Sequence, residues 1–331
     1  MLLAARAEVI GIGGATLDFY RPVGQVGPDH IPGAKAPRWT EQDQLTLDAL
    51  QNDPDVAKHP GGNTMNALAW LALEGERFSH MAFAGVLGVG DHASLAIKSH
   101  LERLGIKNLA GEYPGYLPSV SIIERAAPGS DRGVRGRPRT NMEGYMDVAY
   151  IQGVTAGARL VLAASLKSAK LTDRVFEHTP QDAFLALNPG SSEFLPTAEG
   201  GHPDRLLAAM RRRNPDLLSL NDDELRGLFD APDAGIESLM ESATHFAESV
   251  LCTMGTAGML LSRRLNGGGI EHTHLPITPI VPVDTLGAGD RANAVTINGL
   301  VMGYGPDKIL AQAAEASAEV IQHVGAHGDL Y

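Results

Sequence analysis

Cysteine, basic residues and long apolar runs are all scarce in this sequence, and each shortage excludes a class of protein. Cys252 is the single cysteine among 331 residues, so neither an internal disulfide nor a multi-thiolate metal site can form. Lys and Arg number 27 against 39 Asp and Glu, and the formal net charge of -12 opposes binding to nucleic acid or to an anionic membrane. No run of about 20 apolar residues occurs, which a membrane-spanning helix requires. We therefore expect a cytoplasmic protein that binds neither membranes nor nucleic acid.

The residues that are present alternate between short apolar runs and longer segments of helical period. This alternation is typical of β–α–β units wound around a mostly parallel sheet. We expect one α/β domain over residues 1–331, with three layers in the order α/β/α. Strands are predicted at Glu8–Ile12, Met81–Val86, Leu160–Ala163, Ala183–Leu187, Leu217–Leu220, Ser249–Thr253 and Met259–Ser262. Helices are predicted near 41–51, 63–74, 93–104, 203–213, 234–247, 289–302 and 306–324.

Two segments, at about 19–60 and 112–147, interrupt this alternation. The first is rich in Pro, Gly and charged residues, and the second contains an alternating run followed by a loop of Gly and Arg. We expect both to be insertions that together form a small lid over the mouth of the sheet. The second segment carries four arginines, which are Arg132, Arg135, Arg137 and Arg139. They predict a solvated loop or, alternatively, a clamp for a substrate or product anion.

The segment that follows an extended stretch ending at Asp284 carries the strongest chemical signal. Gly287, Ala288 and Gly289 form a turn with almost no side-chain bulk, and a helical pattern begins beside Asp290. Exposed N–H groups at such a helix start, reinforced by the helix dipole, stabilise a negatively charged phosphoryl group. A carboxylate beside this anion hole can accept the proton of an attacking hydroxyl. The alternative is a Gly-rich strand-to-helix turn with Asp290 as an ordinary first-turn residue.

The motif DTLGAGD at Asp284–Asp290 resembles the C-terminal signature of the ribokinase-like (PfkB) carbohydrate and nucleoside kinases. The segment His59–Gly75 resembles the N-terminal signature of the same family. Further elements match in order, namely GGATLD at Gly13–Asp18, NDDE at Asn221–Glu224, TMGTAG at Thr253–Gly258 and the pair Gly325–Ala326. The resemblance therefore spans residues 8–327, which is nearly the whole chain.

This resemblance implies a ribokinase-like fold and an ATP-dependent kinase that transfers the γ-phosphoryl group of MgATP to a hydroxymethyl group of a sugar. A nucleoside of the adenosine type is the alternative acceptor, and a homodimer formed through the lid is also compatible with the family. Asp290 would be the general base, and the N–H groups of Gly287, Ala288 and Gly289 would stabilise the transferred group. The other implied roles are acceptor binding by Asp18, Gly61, Gly62 and Asn66, Mg²⁺ binding through water by Glu224 with Asn221, nucleotide binding by Thr253, Gly255 and Gly258, and K⁺ binding by carbonyls around Asp284 and Thr285.

Three of these elements also have a purely structural interpretation. Asn221 and Glu224 have the spacing of a capping box at a helix start. Thr253–Gly258 has the composition of a plain hairpin turn. Gly61 and Gly62 are compatible with a tight entry into the next helix.

The helix after Asp290 departs from the family pattern. Arg291, Ala292 and Val295 stand where a small residue, Phe and Gly are common in relatives. Ala314 stands where many members carry an Asn on the adenine side. The helix packing must therefore differ, and the base preference of the nucleotide site stays open.

Two other enzyme classes are excluded by spacing. Gly11, Gly13 and Gly14 follow the first strand, but position 16 is Thr and the chain runs on into Pro and Gly instead of a helix, unlike a dinucleotide-binding fingerprint. A Walker-type kinase is excluded because the sequence has no Gly-Lys-Ser/Thr triplet. A non-catalytic sugar- or nucleotide-binding protein on the same fold remains as a further alternative.

Overall fold

Parallel pairing between buried apolar strands organises most of the chain. The computed structural model describes residues 8–27, 30, 38–74, 78, 80–127, 130, 132–137, 140–190 and 203–327. In these ranges the strands are β1 (Val9–Gly13), β2 (Thr16–Tyr20), β3 (Ala57–Gly61), β4 (Met81–Ala84), β5 (Val86–Gly88), β6 (Lys107–Asn108), β7 (Gly111–Tyr113), β8 (Ser119–Arg125), β9 (Arg132–Arg137), β10 (Leu160–Ala164), β11 (Phe184–Asn188), β12 (Leu217–Asn221), β13 (Ser249–Thr253), β14 (Met259–Arg264) and β15 (Ile270–Leu275).

The helices connect these strands and cover them. They are α1 (Glu41–Asn52), α2 (Asn63–Leu73), α3 (His92–Arg103), α4 (Val148–Thr155), α5 (Ala169–His178), α6 (Pro203–Arg212), α7 (Asp222–Leu228), α8 (Ile236–Thr244), α9 (Ala288–Val301) and α10 (Pro306–Val320). Within the described ranges, no helix is long and apolar enough to cross a membrane.

The main sheet has the strand order β15-β14-β13-β12-β11-β10-β1-β4-β6. Within this sheet, β13, β12, β11, β10, β1, β4 and β6 are parallel to one another. At the opposite edge from β6, β14 and β15 are added in antiparallel orientation. The expected α/β class with a mostly parallel sheet is confirmed. Because successive side chains of a strand point to opposite faces, Val9 and Ile10 of β1 belong to two different apolar cores. One core contains α4–α8 and the other contains α2, α3, α9 and α10.

One strand prediction is wrong in its extent. The sequence predicts a single strand over Met81–Val86, whereas the structure ends β4 at Ala84 and pairs β5 with β7 in a separate two-stranded sheet. At Gly85 the N–H donates to the hydroxyl of Tyr150 over 3.1 Å, and the carbonyl accepts from the N–H of Gly111 over 3.0 Å. These contacts take the backbone of Gly85 away from the main sheet.

A second sheet, called the small sheet below, has the order β3-β2-β8-β9. Its strands come from the two segments in which the sequence predicts insertions, although β2 begins at Thr16, before the expected boundary. One face packs Leu17 and Phe19 against Leu47 of α1. Asp18 lies between these two positions on β2, so it belongs to the opposite face, which is turned toward the end of the main sheet. Closure of this sheet as a lid stays a prediction.

The arginines of β9 are divided between the two faces of the small sheet, with Arg132 on one face and Arg135 and Arg137 on the other. Arg135 is only 6% exposed, and its guanidinium lies 3.0 Å from Asp43 of α1 and 3.2 Å from Glu124 of β8. The expectation of a solvated loop is therefore wrong for Arg135, because strand pairing directs this side chain into a buried ion network. Arg139 lies outside the described residues.

Candidate active site

The N-terminus of α9 forms an open backbone cradle at the end of the main sheet. Gly287 is the N-cap residue and has a left-handed φ of 81°. A Cβ atom at Gly287 would lie 2.6 Å from the Cα atom of Ala326, so only glycine fits this contact. At Gly289, apart from its chain neighbours and its own helix, no described residue has an atom within 4 Å of the corresponding position. The N–H groups of the first helical turn have no acceptor within the helix, and they are available to an anion.

Asp290 lies in the first turn of α9 and is buried. One of its carboxylate oxygens accepts a 2.7 Å hydrogen bond from the side-chain amide of Asn66, which is itself buried on α2. Burial raises the pKa of the Asp290 carboxyl to about 7, and the nearby charges of Glu224 and Asp18 add to this effect. The hydrogen bond from Asn66 and the charge of Arg132 act in the opposite direction. The side chain is therefore ready to exchange a proton near neutral pH.

Asp18 approaches the same point from the small sheet. It pairs with His59 in the β2–β3 ladder and is buried. A Cβ atom at Gly61 would lie 2.6 Å from Oδ2 of Asp18 and 3.5 Å from Oδ1 of Asn66. The missing side chain of Gly61 thus makes room where these polar groups meet. Gly62 follows as the N-cap of α2, with a φ of 95°. The structure brings the four residues with expected acceptor-binding roles together beside Asp290.

Asn221 and Glu224 form the capping box of α7, as the structural alternative predicts. The Asn221 side chain accepts from the Glu224 N–H over 2.8 Å, and the Glu224 carboxylate accepts from the Asn221 N–H over 2.9 Å. The cap fixes Glu224 at the carboxyl end of β12. The negative charge of Glu224 contributes to the raised pKa of Asp290. A structural role and an electrostatic role therefore coincide in this residue.

Thr253, Gly255 and Gly258 lie in a tight connection beside this helix start. Thr253 pairs with Asn221 in the β12–β13 ladder, and the N–H of Met254 donates to the Gly258 carbonyl over 2.9 Å. The hairpin predicted as the structural alternative is thus present. Apart from the chain neighbours of Gly255, no atom of the described part of the chain lies within 4 Å of the position of a Cβ there. Gly255 and Glu224 thus lie at the ends of neighbouring strands, and with the cradle at Gly289 they are the candidate residues for holding a nucleotide and its Mg²⁺.

The loop before α9 is held by arginines of the small sheet. Arg125 donates to the Val283 carbonyl over 2.7 Å, and Arg132 hydrogen-bonds the hydroxyl of Thr285. Arg132 also lies 3.7 Å from the carboxylate of Asp284, whose side chain is fully buried. Positive charge thus already lies against the groups at which the resemblance implies a K⁺ ion. Repulsion from these guanidinium groups opposes the binding of an additional cation beside them.

Tyr20 is a candidate site residue that the sequence alone does not predict. It lies two positions beyond Asp18 on β2, so both side chains share one face of the strand. Its ring packs edge-to-face against His59 with 5.2 Å between centroids, and its hydroxyl is buried without a hydrogen-bond partner among the described residues. Burial raises its pKa well above the ordinary value, and the charges of Asp18 and Asp284 reinforce this shift. The sequence signal for Tyr20 is its spacing of two residues from Asp18, since residues two apart on a strand share one face.

A separate cavity of about 440 Å³ lies between α2, α9 and α10. Its lining includes Glu74, Arg291 and Glu319. Arg291 is held there by the carboxylate of Glu74 at 2.7 Å and lies over the ring of Trp70. Arg291 therefore turns away from the carboxyl group of its neighbour Asp290, and this cavity is distinct from the cradle.

Comparisons with known proteins identify the family and the fold of the chain. Residues 36–330 match the model of the pfkB family carbohydrate kinases. The crystal structure of adenosine kinase from Sinorhizobium meliloti has a TM-score of 0.75 and 18% identity, and the match covers 99% of this chain and 97% of that chain. A probable sugar kinase from Rhizobium etli CFN 42 has a TM-score of 0.74 and 17% identity, with 98% and 96% covered.

Ribokinase from Thermotoga maritima has a TM-score of 0.68 and 18% identity, with 97% of this chain and 94% of that chain covered. At these identities the structural likeness shows the fold alone. A search of curated proteins gives no significant match.

The raised pKa of Asp290 predicts a pH-dependent cost to stability. The folded-state value of about 7 exceeds the ordinary 3.8, so the folded protein holds a proton that the unfolded chain releases, and stability falls as pH rises from about 4 through 7. Asp290→Asn removes this titration. We expect the variant to be more stable than the wild type by on the order of a few kcal/mol near pH 8, with the difference shrinking toward pH 5.

Urea denaturation at several pH values measures this difference. Asp147→Asn is the matched control, because Asp147 is also an acidic residue at a helix start and Asn caps a helix equally well. A difference between wild type and Asp290→Asn that does not vary with pH would show that the carboxyl is not held in the neutral form.

Proposed function

Because the chain belongs to the pfkB family of carbohydrate kinases, we propose that it transfers the γ-phosphoryl group of MgATP to a hydroxymethyl group of a sugar. Family membership makes it a phosphotransferase with a sugar or nucleoside acceptor. The observation that carries the proposal is the position of Asp290. Its buried carboxyl group adjoins both the open N-terminus of α9 and the polar groups of Asp18 and Asn66.

Asp290 acts as the general base in this proposal. The carboxylate accepts the proton of the acceptor hydroxyl while the hydroxyl oxygen forms a bond to the γ-phosphorus, and the bond from that phosphorus to the bridging oxygen of ADP breaks. The electron pair of the broken bond stays on ADP. A pKa of about 7 leaves a substantial carboxylate fraction at neutral pH and keeps its basicity higher than that of an exposed aspartate. Catalysis of this kind contributes roughly 10²–10⁴-fold.

The backbone at the start of α9 stabilises the transferred group. The N–H groups of Gly287, Ala288 and Gly289 lie at the positive end of the helix dipole, and the open space at Gly289 lets an anion approach the backbone. Glu224, with Asn221, would hold Mg²⁺ through water, and the bound ion supplies positive charge to the triphosphate. Thr253, Gly255 and Gly258 would line the nucleotide, as their place beside Asn221 permits.

The face of the small sheet next to Asp18 favours a sugar as acceptor. Ser121 is the neighbour of Asp18 on β8, and the buried hydroxyl of Tyr20 lies on the same face. These groups, with Asn66, present hydrogen-bonding partners for ring hydroxyls. The ring of Tyr20 is already packed against His59, so it does not form a free platform for a nucleobase. The similar structures include adenosine kinase and a probable sugar kinase, and a nucleoside acceptor is therefore the second candidate.

A panel of acceptors tests the reaction and its acceptor class together. With MgATP and pentoses, hexoses, keto-sugar acids or nucleosides, we expect ADP release with a sugar whose kcat/KM exceeds that of any nucleoside by about tenfold or more.

Asp290→Asn should lower turnover by about 10²–10⁴-fold and leave the Kd for ATP nearly unchanged, because the base does not hold the nucleotide. Asp147→Asn is the control. Turnover retained in Asp290→Asn would refute the base assignment, and a preferred nucleoside would refute the acceptor class.

Tyr20→Phe tests the contact between the small sheet and the sugar. The wild-type hydroxyl has no partner among the described residues, so we expect it to bind a substrate hydroxyl. Its removal should raise KM for the sugar by about 5- to 20-fold, with the unfolding temperature unchanged or higher because an unsatisfied buried group is lost. Tyr304→Phe is the control, since the Tyr304 ring lies under Lys308 beyond the far end of α9. An unchanged KM for Tyr20→Phe would exclude the contact.

A further inference from the structure

Two arginines of the small sheet join it to the loop that precedes the anion-binding turn. Arg125 ends β8 and Arg132 begins β9, and the two residues are direct partners in the antiparallel ladder. Both guanidinium groups therefore leave the sheet at one place and on one face. That place adjoins the loop of Val283, Asp284 and Thr285, which leads into α9.

The contacts engage three consecutive residues of this loop. Arg125 donates to the carbonyl of Val283 over 2.7 Å. Arg132 hydrogen-bonds the hydroxyl of Thr285 and lies 3.7 Å from a carboxylate oxygen of Asp284. Arg125 is only 8% exposed, and its hydrogen bond to the exposed residue Val283 is partly buried. Hydrogen bonds from a charged donor are shorter and stronger than neutral ones.

Asp284 passes this restraint on to the anion-binding turn. Its carboxylate accepts from the N–H of Leu286 over 3.0 Å and from the N–H of Gly325 over 3.1 Å. Gly287 then packs directly on Ala326, as its missing Cβ shows. The loop, the turn and the segment around Gly325 are thus one hydrogen-bonded unit. By holding this loop, the two arginines therefore help to position the turn that binds phosphate in the proposed function.

A small cavity lies between the small sheet and the loop. The cavity there has a volume of about 10 Å³ and is lined by Arg125, Arg132 and the loop residues, together with Ser130 and Pro282. An ion in it would lie against two guanidinium groups. The Val283 carbonyl and the Thr285 hydroxyl already accept hydrogen bonds from these arginines, and the Asp284 carboxylate lies 3.7 Å from Arg132.

We propose that Arg125 and Arg132 replace a monovalent cation as the positive charges that hold the loop at residues 283–285. They are positioning residues, because they act on the phosphoryl group through Asp284 and the turn at Gly287. Catalysis then needs no K⁺, and docking of the small sheet completes the anion-binding turn. The inference rests on the proposed phosphoryl transfer.

The first arm of the test compares cations with the full-length wild-type protein. Turnover of the accepted acceptor with MgATP, prepared free of K⁺ and Na⁺, is measured in potassium, sodium and tetramethylammonium chloride at equal ionic strength. The proposal predicts values of kcat that agree within about twofold. Severalfold activation by K⁺ over tetramethylammonium would overturn it.

The second arm removes the two positive charges. Arg125→Met with Arg132→Met should lower kcat by about tenfold to a hundredfold while the KM for MgATP changes little, because the turn is misplaced although the nucleotide loop is intact. Added guanidinium or K⁺ at millimolar concentration should restore part of kcat in this variant and none in the wild type. Arg174→Met is the matched control, since Arg174 donates to two backbone carbonyls far from the site. A double variant with normal kcat would contradict the proposal.

A third measurement keeps the inference separate from the proposed function. If the wild type phosphorylated no sugar and no nucleoside, the proposed function would fail, and the unfolding temperature would still report on the cation site. The proposal predicts the same unfolding temperature in potassium and tetramethylammonium chloride at equal ionic strength for the wild type, and a K⁺-specific increase for the double variant. A K⁺-specific increase in the wild type would overturn it.

Discussion

A carboxyl group buried beside the positive end of a helix is the feature on which the rest of the site depends. Burial of Asp290 disfavours its charge, and the neighbouring acids Asp18 and Glu224 disfavour it further. The amide of Asn66 and the start of α9 favour the charged form. The resulting pKa is about 7. A carboxyl group with this pKa can take a proton from an alcohol and return it to solvent near neutral pH. The same helix start offers N–H groups to phosphate, so base and anion cradle share one element.

The sequence contains enough information to locate this element. Asp284, Gly287 and Asp290 lie within seven consecutive residues, and the turn, the cap and the helix start are local features that follow from residue type. The mostly parallel sheet follows from the apolar runs in the same way. Asn66 and Asp18 are far from Asp290 in the chain, and the family resemblance, not residue patterning, predicts that they meet. Their roles, like that of Asp290, stay predictions.

The parts that could not be predicted depend on pairing between distant segments. Arg135 reads as part of a polar loop, but its place in β9 turns it toward Asp43 and Glu124 in a buried network. Arg125 and Arg132 meet the loop before α9 because two strands align them, and nothing near residue 284 indicates these partners. Register decides which face a side chain occupies, and a shift of one residue would reverse every assignment.

The pH dependence of kcat/KM for the preferred acceptor tests the central claim most directly. It should be measured at saturating MgATP and constant ionic strength from about pH 5 to about pH 9, since kcat/KM reports the ionisation of groups before the acceptor binds. The account predicts a tenfold fall for each pH unit below an apparent pKa of about 7 and a plateau above it. A profile that stays level down to pH 5 would contradict it, because the base would then be an ordinary, solvated carboxylate.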